Sequence, residues 1–173
     1  MKPLCLDSLE TPLGEIWLFA TGRGVRSVRF VTRRERTLAE IPPSRKGREL
    51  VWGGLILNSA TRQLQEYLSE TRTTFTVRLD LAGFSVWERS VIRAVRGIPY
   101  GETMTYAQLA SAVGTPRRTR RVLDFLRKNP LAILVPCHRV VGADGPGYHV
   151  GGRRIKRWLI EMEQGQMRLA LEG

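Results

Sequence analysis

Cys137 and His138 stand side by side in Pro136-Cys137-His138-Arg139-Val140, directly after the uninterrupted apolar run at residues 131–135. A thiolate is a strong nucleophile, and an imidazole within reach can take its proton. The apolar run predicts a buried strand, and burial raises a thiol's pKa, so a reactive Cys137 needs a compensating group beside it. The chain has two cysteines, Cys5 and Cys137, and two histidines, His138 and His149, and one of each is adjacent to the other. Further along, Gly151-Gly152 opens a predicted last helix in which Lys156, Leu159 and Glu163 share a face. One rigid element can therefore aim a cation and an anion at a single pocket. Glu163 would orient or charge an imidazole, and that imidazole would draw the proton from sulfur. Taken alone, Cys137 reads equally well as a packing residue, since free cysteine is among the most buried residue types.

The elements that must position these groups fall in two halves. Residues 1–81 read as a mixed β/α unit. Residues 14–20 and 24–31 alternate apolar and polar around Thr21-Gly22-Arg23, predicting a hairpin. Residues 33–48, with Pro42-Pro43, predict a loop. Ala60, Leu64, Tyr67 and Leu68 recur at helical spacing, and residues 74–81 alternate again as a strand. Residues 82–173 read as mainly helical. There Thr105-Tyr106-Ala107-Gln108 matches a capping box, opening a helix that stops at Gly114. Thr115-Pro116 predicts the N-cap and first turn of a second helix running to Asn129-Pro130. Two short helices around a glycine-containing turn make a helix-turn-helix candidate. The second helix carries Arg117, Arg120, Arg121, Arg127 and Lys128 at three- and four-residue steps, with Val122, Phe125 and Leu126 opposite. Such a basic face on the second helix of a pair suits DNA better than a merely solvated surface.

Bulk composition agrees. Lys and Arg number 28 against 16 Asp and Glu, for a net charge of +12, which favours a polyanionic partner, nucleic acid first. Two cysteines make neither a disulfide framework nor a zinc motif, so both read as reduced thiols. No apolar stretch approaches the roughly 20 residues that span a bilayer, and the N-terminus lacks a signal-peptide pattern. An intracellular, cytoplasmic protein with no membrane partner is the expectation.

Ile98-Pro99-Tyr100-Gly101-Glu102, Tyr106, Asn129-Pro130, Pro136-Cys137-His138-Arg139-Val140-Val141-Gly142 and the stretch from Gly151-Gly152 to Leu159 resemble the O6-alkylguanine-DNA alkyltransferase family. The resemblance runs in order and spacing from Trp87 to Glu163. It continues more loosely through Thr11-Pro12-Leu13-Gly14 and Gln63-Leu64-Gln65-Glu66-Tyr67. It implies an α+β protein, with a ribonuclease H-like β/α domain at 1–81. A mainly helical, winged-helix-like domain with a helix-turn-helix would follow at 82–173. It implies a suicide alkyltransferase that repairs DNA by base flipping, moving a methyl or other alkyl group from O6 of guanine (and O4 of thymine) in duplex DNA to Cys137. Extrusion is a physical requirement, since a thiol cannot reach O6 inside a stacked pair.

By the same likeness His138 is the base for Cys137 through a water, and Glu163 is the partner of His138. Asn129 ties the helix pair to the active segment. Tyr106, assisted by Lys156, protonates the leaving guanine or steers its phosphate. Arg120 fills the gap left by the flipped base, while Thr115, Arg117 and Arg127 hold DNA. Leu126, Val140, His149 and Val150 line the base pocket. No metal, organic cofactor or obligatory protein partner is implied.

Some positions depart from the family pattern. Arg121, Leu123, Asp124 and Phe125 stand where small residues are usual, and His149-Val150 where a tyrosine and a small residue are usual. Ile92 replaces a tryptophan, with Trp87 nearby as expected core. Three other readings compete: a lesion-binding module without transfer, a Cys–His hydrolase, and a basic helix-turn-helix regulator in which Cys137 is core.

Overall fold

The structure, a computed structural model, describes residues 4–31 and 50–165. The loop expected at 33–48 lies outside the described residues. Contacts group the chain into two compact units, Met1–Leu81 and Ala82–Gly173.

In the first unit, β1 (Leu4–Thr11), β2 (Gly14–Thr21), β3 (Gly24–Phe30) and β4 (Leu50–Trp52) form one sheet in the order β3-β2-β1-β4. The expected β2–β3 hairpin is present. β1 and β4 were not legible as strands, and β4 joins β1 in parallel over only three residues. Helix α1 (Leu55–Leu68) lays Leu57, Ala60, Leu64 and Tyr67 over the sheet face that carries Ile16, Leu18 and Ala20. Alternation along β2 puts Phe19 on the other face, where it clusters with Leu4 and Leu6.

Residues 74–81, expected as a strand, are instead an extended segment making a single parallel bridge, Val25 to Leu79. The Gln63 side chain takes the Thr76 N–H that a ladder would have used. Docking is close at Gly24, where a Cβ would stand 2.5 Å from the Arg78 carbonyl oxygen.

In the second unit, α2 (Val86–Arg96) starts on a capping box between Ser85 and Glu88. The box expected at Thr105 and Gln108 is formed and opens α3 (Tyr106–Ala112). Two short strands, β5 (Met104–Thr105) and β6 (Val140–Val141), pair in parallel. Helix α4 (Thr119–Leu126) packs on α3, and α5 (Arg153–Glu163) closes the described chain. Among the described residues no helix is long and apolar enough to cross a membrane.

Thr115-Pro116 does not cap α4. These residues form a turn closed by the Arg118 N–H on the Thr115 carbonyl, and the helix begins at Thr119 without a side-chain cap. The helix also ends at Leu126, short of Asn129-Pro130. Residues 131–135 are buried as expected but are not a strand: Ile133 has φ 68°, and the segment turns on itself through Val135 N–H to Leu131 O. Continuous hydrophobicity signals burial whatever the backbone shape, and here local bonds replace a ladder.

Candidate active site

Asn129 organises the turn that carries the thiol. Its Oδ1 accepts the Leu131 N–H at 3.0 Å, while Nδ2 donates to Val135 O at 3.1 Å and to Cys137 Sγ at 3.2 Å. One buried amide thus fixes both ends of the turn and points a donor at sulfur. Cys137 opens a single 3₁₀ turn, Cys137–Arg139, and is 3% exposed. Burial pushes its thiol up, against the Asn129 hydrogen bond and the Lys156 charge, which pull it down. The resting group is a protonated thiol, so chemistry at sulfur requires a base.

His138 is fully buried, with Nε2 2.8 Å from Glu163 Oε1. Burial pushes the imidazole below its ordinary value, opposed by Glu163. Arg139 secures the carboxylate: its Nε donates to Glu163 Oε2 at 2.9 Å and its Nη2 to Oε1 at 2.9 Å. Gly101 N–H adds a further bond to Oε2, and Arg139 Nη1 donates to Ile98 O. A carboxylate paired with arginine is an acceptor, so it accepts a hydrogen bond from Nε2–H and leaves Nδ1 as the basic nitrogen of a neutral ring.

The residue-by-residue reading overlooked Arg139 as a site member. A charged residue inside an otherwise apolar run was the available signal, because a buried guanidinium demands a carboxylate. The Ile98–Gly101 stretch likewise contributes backbone groups to this pair.

Lys156 and Tyr106 form a second knot. Lys156 Nζ donates to Val140 O, to Tyr148 O at 3.0 Å and to Tyr106 Oη at 3.4 Å, while Tyr106 donates to Tyr148 O at 3.2 Å. Both groups thus grip the loop between β6 and α5, which we call the pocket loop for the role the family resemblance implies, through one carbonyl. Burial lowers the ammonium to about 8, and burial followed by Cys137 raises the phenol, which stays a proton donor at neutral pH. Gly147, at φ 72°, lets the loop approach, since a Cβ there would stand 3.1 Å from the Tyr106 ring. His149 is buried, its Nδ1 accepts the Gly151 N–H, and burial pushes it down to about 3. Leu126 and Val140 are buried and Val150 is half-buried.

The basic residues expected to hold DNA lie at the surface, and Arg127 stacks 4.9 Å over the ring of Tyr148 at the edge of this core. Arg117, Arg120 and Arg127 are exposed, and Thr115 is half-buried beside the Ala110 carbonyl. Two of the bulky departures on α4 turn toward the start of α2. Phe125 packs edge-on against Trp87 and Phe84, and the Arg121 guanidinium lies 4.0 Å over the Trp87 ring. Trp87, expected in the core, is half-buried beneath it, while Ile92 is buried on α2 together with Val91 and Val95.

Among the described residues no cluster of His, Cys, Asp and Glu is placed to hold a metal ion. The arrangement is a buried thiol with an amide donor, a neutral imidazole braced by a carboxylate, and a phenol–ammonium pair beside them.

Residues 6–81 match the ribonuclease-like domain of 6-O-methylguanine DNA methyltransferase, and residues 86–165 match its DNA binding domain. A methylated-DNA–protein-cysteine methyltransferase of Methanosarcina barkeri is 35% identical over 94% of this chain and 98% of its own length. A Mycobacterium leprae protein of the same name is 37% identical over 95% of this chain and 94% of its own. The crystal structure of the Mycobacterium tuberculosis O6-methylguanine methyltransferase superposes with a TM-score of 0.80 at 33% identity, covering 94% of this chain and 93% of that one. A crystal structure of the tuberculosis protein in complex with DNA gives 0.77 at 33% identity, covering 93% of each chain. Matches to both family domains and to full-length relatives at 35–37% identity show that the chain belongs to the O6-methylguanine-DNA methyltransferase family.

Proposed function

We propose that this protein repairs duplex DNA by moving an alkyl group from O6 of guanine, or O4 of thymine, onto its own Cys137, once per molecule. The observation that carries this reading is the buried Cys137 sulfur, 3.2 Å from the Asn129 amide, beside an imidazole whose far nitrogen is engaged by Glu163. Residues 82–173 are the alkyltransferase and DNA-binding domain, and residues 1–81 a separate β/α domain. The protein acts inside the cell, in the cytoplasm, on DNA.

The reaction follows from the protonation states. His138 Nδ1 takes the thiol proton, through a water, and the Asn129 amide and Lys156 ammonium stabilise the sulfur anion. Sulfur attacks the alkyl carbon of a base flipped out of the helix. The carbon–O6 bond breaks, its electron pair passes to guanine, and Tyr106 supplies the proton that neutralises the base. A thioether has no ready leaving group, so the molecule is consumed. Leu126, Val140, His149 and Val150 enclose the base, while Arg120 holds the vacated stack and Arg117, Arg127 and Thr115 meet the phosphates.

Mass spectrometry after incubation with an O6-methylguanine duplex tests this directly. The Cys137 peptide gains one methyl in place of hydrogen, and Cys137→Ser gains nothing while still binding DNA. Alkylation at Cys5, or none in the wild type, overturns the reading.

A further inference from the structure

Asp124 is the one acidic residue among the six basic ones at positions 115–128. It is not idle charge: its carboxylate engages Arg120 Nε at 3.2 and 3.3 Å, and Arg127 Nη1 stands 3.9 Å from the same group. The i,i+4 and i,i+3 spacings on α4 bring all three side chains to one face. Arg127 in turn stacks 4.9 Å over the ring of Tyr148, the pocket-loop residue whose carbonyl Lys156 and Tyr106 hold.

We propose that Asp124 is a positioning residue for DNA engagement, holding the Arg120 and Arg127 side chains along α4 until a duplex takes them over. This rests on the reading above, in which α4 faces DNA. The bond at Nε draws the Arg120 guanidinium toward the C-terminal end of the helix, away from any extended position. Entry into a duplex must break it. Phosphates then compete for both guanidiniums while repelling the carboxylate, so release is coupled to binding. The pair is exposed, which keeps the restraint weak enough to be undone by a few phosphate contacts. The restraint lowers affinity for every duplex alike, leaving the lesion to supply the difference.

The experiment measures binding of undamaged and O6-methylguanine duplexes across a salt series, by fluorescence anisotropy, alongside single-turnover transfer from free O6-benzylguanine. Asp124→Asn keeps the side-chain shape and is expected to tighten both duplexes roughly twofold, and at most about fivefold. It should also steepen the salt slope by roughly one, with little change in transfer from the free base. In an Arg120→Ala/Arg127→Ala background the same substitution should give no gain, because there is nothing left to release.

A gain that persists in that background overturns the proposal in favour of plain repulsion between Asp124 and phosphate. Unchanged or weaker binding by Asp124→Asn also overturns it. A wild-type protein that neither binds duplex nor transfers alkyl groups would instead remove the underlying functional reading, a result distinguishable from both.

Discussion

Glu163 and Asp124 each gather two basic side chains, yet they work in opposite surroundings. Glu163 is 2% exposed at its side chain and meets His138 and Arg139, themselves 0% and 7% exposed. Asp124 is 49% exposed and meets Arg120 and Arg127 at 76% and 41%. Out of water, unmatched charge is costly, so each nitrogen of the Arg139 guanidinium has a partner: Nε and Nη2 span both Glu163 oxygens, Nη1 donates to Ile98 O, and Gly101 adds an N–H to the carboxylate. In water the same chemistry is cheap to make and to break, which suits side chains that must change partners. In the proposed mechanism one carboxylate is architecture for the reaction, and the other is a weak restraint on the surface proposed to meet DNA.

The largest expected effect is on the buried side. Glu163→Ala leaves the Arg139 charge unpaired and should cost about 3–5 kcal/mol of stability, read by chemical denaturation. Asp124→Ala should stay within about 0.5 kcal/mol. Similar losses in the two variants would erase the contrast.

For catalysis, Glu163→Gln and His138→Ala should each slow single-turnover transfer by about a hundredfold or more while leaving duplex affinity near wild type. Rates equal to wild type across the neutral pH range would take the imidazole out of the mechanism.

Titration sharpens the contrast. His149 has a folded value depressed to about 3 from its ordinary 6.5, so its contribution is fully present above the unfolded value and is lost as pH falls. Between those limits the unfolded chain binds a proton that the folded one refuses. Stability should decline toward acid by up to about 1.4 kcal/mol per pH unit from this group. His149→Asn should flatten that decline, and an unchanged pH–stability curve would show that the site opens to water before it protonates.

The smallest effects belong to the exposed face. Arg120→Ala should impair repair of duplex far more than transfer from free O6-benzylguanine, which needs no extrusion. Equal impairment on both would place Arg120 in support of the pocket. Arg117→Ala should weaken all duplexes alike and reduce the salt slope by roughly one.

Local signals were legible without coordinates wherever the physics was local. Capping at Thr105 and Gln108 needs only four residues, and the apolar stripe of α1 needs only its 3.6-residue period. The shared face of Lys156 and Glu163 on α5 followed from the same period, and both side chains are buried there. Thr115 had good capping chemistry but lost to a turn, because its N–H and hydroxyl are both drawn to Ala110 O. The run at 131–135 announced burial but not shape, since a left-handed residue at Ile133 leaves no mark on hydropathy.

By itself the sequence determined the family, the thiol–imidazole pair, the basic character of the second helix and the two halves of the chain, all of which rest on residue type and short spacing. Tertiary structure alone decided which partner each charge would find. Arg139 is 24 residues from Glu163 in sequence, and Ile98 O is 41 from Arg139, yet together they hold the carboxylate that faces His138 Nε2. It also decided that Phe125 and Arg121 turn onto Trp87, and that Asp124 faces its own helix's arginines. The reason is that desolvation and pairing depend on what arrives from distant parts of the chain, and no periodicity records that.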